Sequence, residues 1–111
     1  MQAQDLKDRL ISTVGFCPKD AVGWLYVARG MYKLKEYHFV IEAVSHCLRN
    51  EKTLKEAQHL LAFSLIHTGQ TTAAAAALMK SIKMGNDTDW QSLVEICIDD
   101  NVKLSGKQFV V

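Results

Sequence analysis

The chain has 111 residues, 49% hydrophobic and 23% charged, which excludes a disordered or fibrous polypeptide and fits one globular domain. Thirteen basic against twelve acidic side chains leave a net charge of +1, so no basic footprint for nucleic acid exists. No apolar run approaches the ~20 residues that a spanning helix needs, which argues against membrane insertion, and the polar start MQAQDLKDRL has no signal-peptide core.

One proline and six glycines leave long uninterrupted stretches, in which apolar residues recur at helical spacing. A first helix is predicted over 3–14, with Leu6, Leu10, Ile11 and Val14 on one face, ended by Gly15 and Pro18. Asp20 is placed to cap a second, over 20–34, that carries Trp24, Val27, Ala28, Met31 and Leu34. The pair Lys35-Glu36 breaks the pattern before a third helix over 37–50, with Tyr37, Val40, Ile41, Val44, Cys47 and Leu48. Thr53 and Glu56 have the spacing of a capping box and are expected to open a fourth helix over 54–68, with Ala57, Leu61, Ala62 and Leu65. Gly69 stands just past its end, where a left-handed residue is favoured. A fifth helix is predicted over 70–84 and Gly85 closes it. Asp87 or Asp89 is expected to cap a sixth, over 88–100, with Trp90, Leu93, Val94 and Cys97. Residues 102–111 read as a tail with Phe109, Val110 and Val111 at its end. The three cysteines, Cys17, Cys47 and Cys97, are scattered and odd in number. They are expected as reduced thiols of a reducing compartment, the cytoplasm, and not as a disulfide framework.

Helices of similar length joined by very short turns form antiparallel hairpins. Sliding the chain by 34 residues brings like on like: Val27 on Leu61, Ala28 on Ala62, Met31 on Leu65, Val40 on Ala74, Val44 on Leu78 and Leu48 on Ile82. Apolar and small positions coincide while the polar residues between them vary. Ala28 and Ala62, with Ala43 and Ala74, allow close helix approach, and the run Ala73–Ala77 favours helix and leaves no bulk against a neighbour.

This period, with Trp24, Val27, Ala28, Met31, Tyr37, Val40, Val44 and Cys47 in one copy and Leu61, Ala62, Leu65, Gly69, Ala74, Leu78 and Ser81 in the next, resembles the tetratricopeptide repeat. The second copy departs from the pattern with Gln58 in place of Trp and Thr71 in place of Tyr. The resemblance implies an all-α fold, a right-handed superhelical array of antiparallel helix hairpins with about six helices. It divides the chain into an N-terminal helix (1–20, a half repeat or cap), a first repeat (21–54), a second (55–86), a C-terminal helix (87–101, a half repeat or cap) and the tail.

Chemistry is hard to assemble from these residues. His59 and His67 are eight apart with Phe63 between them, too far for one metal ion. His46 and Cys47 are adjacent, so their side chains diverge on a helix. No zinc-type spacing and no Gly-rich phosphate loop occurs. The expectation is therefore no enzyme, no cofactor and no metal.

In the tetratricopeptide family the first helices of successive copies line a concave groove for a peptide or a partner's helix. Carried over, the groove places are Val22, Leu25, Arg29, Tyr32 and Lys33, then Glu56, His59, Phe63, Ile66 and His67, then Thr88, Gln91, Glu95 and Ile98. Leu25, Arg29, Tyr32, Lys33, His59, Phe63, Ile66, His67 and Gln91 are the candidate binding residues. The family's two-carboxylate clamp for chaperone tails is absent, because Leu25, Arg29 and Leu60 stand at its places. The resemblance implies a non-catalytic interaction module whose partner is an apolar and partly acidic peptide. The second expectation is structural: a segment of a longer solenoid, or a homo-oligomer built by end-to-end helix stacking.

Overall fold

The computed structural model describes residues 5–48 and 50–99 and is all-helical over them. The predicted tail, 102–111, lies outside the described residues. Six helices follow one another: α1 (Leu6–Thr13), α2 (Ala21–Lys33), α3 (Tyr37–Ser45), α4 (Glu51–His67), α5 (Thr71–Lys83) and α6 (Asp89–Asp99).

The termini follow from local chemistry. Asp5 accepts from the Asp8 amide at 2.8 Å and opens α1. A second carboxylate reaches the same end from α3, where Glu42 Oε2 accepts from the Leu6 amide at 2.8 Å. Both neutralise orphan N–H groups at the positive end of the helix dipole. Asp20 accepts from Gly23 at 2.9 Å and opens α2, as its position predicts. Besides α1, which ends on Gly15 (φ 101°), three helices close on a left-handed residue: α2 on Lys35 (φ 62°), α4 on Gly69 (φ 79°) and α5 on Gly85 (φ 104°). In each, the following amide folds back to a carbonyl of the last turn: Glu36 to Met31, Gln70 to Leu65 and Asn86 to Ser81. The α2–α3 and α4–α5 turns both pass through a left-handed residue and match in torsion angles at the residue after it. Glu36 has φ −90° and ψ 69°, and Gln70, 34 positions later, has φ −89° and ψ 67°.

The predicted capping box does not form. Helix α4 starts at Glu51, so Thr53 lies inside its first turn. The Thr53 hydroxyl donates to the carbonyls of Cys47 (2.8 Å) and Asn50 (3.1 Å), in the connection between α3 and α4. Helix α3 correspondingly stops at Ser45, short of the predicted 50, and the chain tightens into bonds from His46 to Ala43 and Cys47 to Val44. Asp89 is the first residue of α6 and not its cap. It is fully buried, because its carboxylate is held from α4 and α5.

Each helix from α2 to α6 packs on its chain neighbour; α2 also packs on α4, and α1 on α3. The core falls into two clusters. The first joins Leu6, Leu10, Trp24, Leu25, Ala28, Val40, Ala43, Val44, Cys47, Ala57 and Leu60. The second joins Ala62, Leu65, Ala74, Ala75, Ala77, Leu78, Leu93 and Ile96. Helix α4 contributes to both, and Leu61 packs against each. The alanines expected at close approaches, Ala28, Ala43, Ala62 and Ala74, are completely buried. Three expected core faces are narrower than predicted. Ile11 and Val14 on α1, Leu34 at the end of α2, and Trp90 and Val94 on α6 are exposed.

Candidate functional site

Polar and aromatic side chains link α2, α4 and α6 along one row. On α2, the Arg29 guanidinium lies 4.7 Å from the centre of the Tyr26 ring and forms a two-pronged ion pair with Glu56 of α4. That hydrogen-bonded pairing holds the Glu56 carboxyl below its usual range. One turn further along α4, His59 Nδ1 approaches both carboxylate oxygens of Asp89 on α6, at 2.8 Å and 3.0 Å. Asp89 also accepts from the Ser81 hydroxyl. Asn86 in turn donates to Ser81 Oγ (2.8 Å) and to the Lys55 carbonyl (3.0 Å). A carboxylate only accepts, so Nδ1 carries the imidazole proton and Nε2 is left as the ring's second bonding site. Lys55, Glu56, His59, Asn86 and Thr88 line an open depression of about 430 Å³ beside this network.

The far end of the row is aromatic. His67, at the end of α4, stacks on Tyr37 with ring centres 4.2 Å apart and an interplanar angle of 8°. Tyr32 meets both edge-on, at 5.6 Å from Tyr37 and 6.2 Å from His67. Burial first, and Tyr37 second, push the Tyr32 hydroxyl pKa upward. Between the two ends, Phe63 lies 4.6 Å from the His59 ring.

Leu25 is a correction to the predicted site. It is 6% exposed and belongs to the first core cluster, because α2 packs against both α3 and α4 and so buries a wider arc than one neighbour would cover. Tyr32, Phe63 and Ile66 are half-buried, with one side against the core. Arg29, Lys33, His67 and Gln91 are exposed, and Gln91 donates to Glu95 at 3.1 Å. The structure therefore brings Arg29, Tyr32, His59, Phe63 and His67 into the contacts above and leaves Lys33 and Gln91 further out. Leu60, at another of the clamp places, is buried like Leu25.

Two participants, Tyr26 and Asp89, escaped the sequence reading of the site, and a third, Glu56, stood among its groove places but not among its candidate binding residues. Tyr26, 62% exposed, takes the outward place next to Leu25. Glu56 pairs with Arg29 and caps nothing. Asp89 is the buried anchor of His59. A signal for it was present: Ser81 is polar at a place where the repeat demands burial, and a buried hydroxyl needs a partner.

The remaining candidates for chemistry are engaged in packing. His46 stacks on Trp24 with ring centres 4.2 Å apart. Cys47 is fully buried, its sulfur 3.4 Å from the Ala21 carbonyl. Burial pushes its thiol up to about 11, which keeps it protonated and unreactive at neutral pH. No cluster of three metal-ligating side chains occurs among the described residues, and no helix among them is long and apolar enough to cross a membrane. No family model, no curated protein and no solved structure matches the chain.

Proposed function

We propose that this chain is a non-catalytic protein-interaction module, a short right-handed array of tetratricopeptide-type hairpins that holds a peptide or helix of a partner along α2, α4 and α6. The observation that carries this reading is the linkage of those three helices through Arg29–Glu56, Tyr32–His67 and His59–Asp89. Alternate helices thereby share one face, as the first helices of successive hairpins would. The 34-residue recurrence of the hairpin turns supports the same arrangement.

The face suits an extended ligand with apolar anchors. Tyr26, Tyr32, Phe63 and Ile66 offer apolar surface, and Lys33 offers an ammonium that forms no ion pair among the described residues. His59, held by Asp89, offers a fixed hydrogen-bonding group beside the depression. Arg29 is already neutralised by Glu56, so the acidic part of a ligand is read by Lys33 first. Aromatic anchors of this kind dominate interface energy, at about 1–2 kcal/mol or more each.

The test is selection of binders from a random-peptide display library on the whole chain, followed by titration of a selected peptide. Tyr26→Ala is expected to weaken binding about tenfold, equivalent to about 1.4 kcal/mol, with unchanged helicity, because Tyr26 is mostly exposed. Lys33→Ala is expected to weaken acidic peptides selectively. Binders indifferent to both substitutions would remove the proposal.

A further inference from the structure

We propose a second interaction surface, separate from the row of α2, α4 and α6, through which copies of this chain join head to tail, α6 of one copy seating antiparallel against α1 of the next.

Both end helices keep an apolar flank uncovered among the described residues. On α6, Trp90, Val94 and Ile98 follow one another every four residues and are 48%, 48% and 72% exposed. Such spacing makes a continuous stripe, set to one side of the buried Leu93 and Ile96. On α1, Ile11 and Val14 are 56% and 58% exposed, and Phe16, just past the helix, is 69% exposed. Their stripe lies beside the buried Leu6 and Leu10. The inner helices α2, α3, α4 and α5 each pack on at least two others, whereas α1 packs mainly on α3, and α6 mainly on α5 with the His59–Asp89 contact to α4.

Charge selects which flank meets which, and in what direction. Lys7 continues the α1 stripe one turn before Ile11, while Glu95 borders the α6 stripe and Asp99 ends it. Antiparallel seating brings Asp99, at the C-terminal end of α6, to Lys7 at the start of α1, and it opposes the two helix dipoles favourably. Pairing α6 antiparallel with α6 would instead set Glu95 beside its own copy and leave Asp99 opposite Trp90 with no cation to meet it. Asp8 lies about 100° round the helix from Lys7 and Ile11 covers the stripe between.

The contact is small. Each flank offers only a few hundred Å² of apolar surface, below the ~800 Å² per partner of a standard stable interface. Association is therefore weak and concentration-dependent. A contact between two different surfaces does not close on itself, so assembly continues past the dimer.

Sedimentation equilibrium of the intact chain, from micromolar to millimolar, tests this with two blocked variants. Ile11→Asp with Val14→Asp blocks the α1 flank; Trp90→Asp with Val94→Asp blocks the α6 flank. All four positions are exposed, and circular dichroism checks that both variants stay helical. The unmodified chain is expected to rise steadily above monomer mass, and each variant to stay at monomer mass. An equimolar mixture of the two is expected to stop at twice that mass, since it holds one intact α6 flank and one intact α1 flank. Lys7→Glu is expected to weaken assembly, and mixing it with Asp99→Lys to restore assembly past the dimer, because both junctions of the mixture again pair opposite charges. A chain that stays monomeric throughout, as it would if residues 100–111 covered α6 from within, overturns the proposal. Association that survives in either blocked variant, the mark of like-on-like pairing, overturns it equally.

Discussion

The hairpins α2–α3 and α4–α5 turn alike but differ in helix length and in what fills them. At one place in the first, Trp24 is buried and stacks on His46; 34 residues later Gln58 is equally buried, and its amide donates to the Ala77 carbonyl at 3.1 Å. Val40 and Val44 give way to Ala74 and Leu78. Cys47, an inert thiol against a carbonyl, gives way to Ser81, whose hydroxyl ties Asp89 to Asn86. The first hairpin is held by apolar bulk. The second is thinner in side chains and adds directed hydrogen bonds. The matching turns connect differently filled interiors, so one turn serves more than one way of packing a hairpin.

That contrast breaks most visibly at the Trp24 and Gln58 places. Trp24→Ala is expected to destabilise by about 3–5 kcal/mol, the usual range for deleting a buried aromatic. Gln58→Ala removes a hydrogen bond and little packing, and is expected to cost about 1 kcal/mol. Urea denaturation of both variants measures the gap. Equal losses would mean that the two hairpins are not held differently after all.

Asp89 sharpens the comparison from the second hairpin's side. Asp89→Ala takes the acceptor from Ser81 and His59 together and is expected to cost about 3 kcal/mol, since buried donors then lack partners. Ser81→Ala keeps the His59 contact and is expected to cost about 1 kcal/mol. If His59 is oriented by Asp89, the imidazole resonances in a two-dimensional nitrogen spectrum shift in Asp89→Ala far more than in Ser81→Ala.

Much of this frame was legible in the sequence, and the reasons for the failures are physical. Helical spacing located all six helices, Asp20 announced its cap, and Gly69 and the Lys35-Glu36 break marked the turns. Periodicity places residues around a helix axis but does not say how many neighbours the helix has. That is why Leu25 looked outward and is inside, while Tyr26 was overlooked. Short-range chemistry also has competitors that only folding reveals. Thr53 and Glu56 have the spacing of a mutual cap, yet the carbonyls of Cys47 and Asn50 take the hydroxyl and Arg29 takes the carboxylate. The row that supports the binding proposal was half readable. The groove positions came from the tetratricopeptide resemblance, whereas Asp89 lies 30 residues from His59 with no local pattern to join them.

The smallest expected effect tests the equivalence of the two turns most directly. Lys35 and Gly69 hold the same left-handed place, at φ 62° and 79°, but only glycine enters that region freely. A side chain there costs roughly 1–2 kcal/mol, offset in part by the ~0.5–1 kcal/mol that glycine loses in backbone freedom on folding. Lys35→Gly is therefore expected to stabilise by about 0.5–1 kcal/mol, and Gly69→Ala to destabilise by about the same amount. Opposite signs are what two equivalent turns require, because each substitution moves one turn toward the other's chemistry without altering its hydrogen bonds. Thermal melts of the two variants would resolve the signs, and like signs would mean that the matching torsions conceal different local packing.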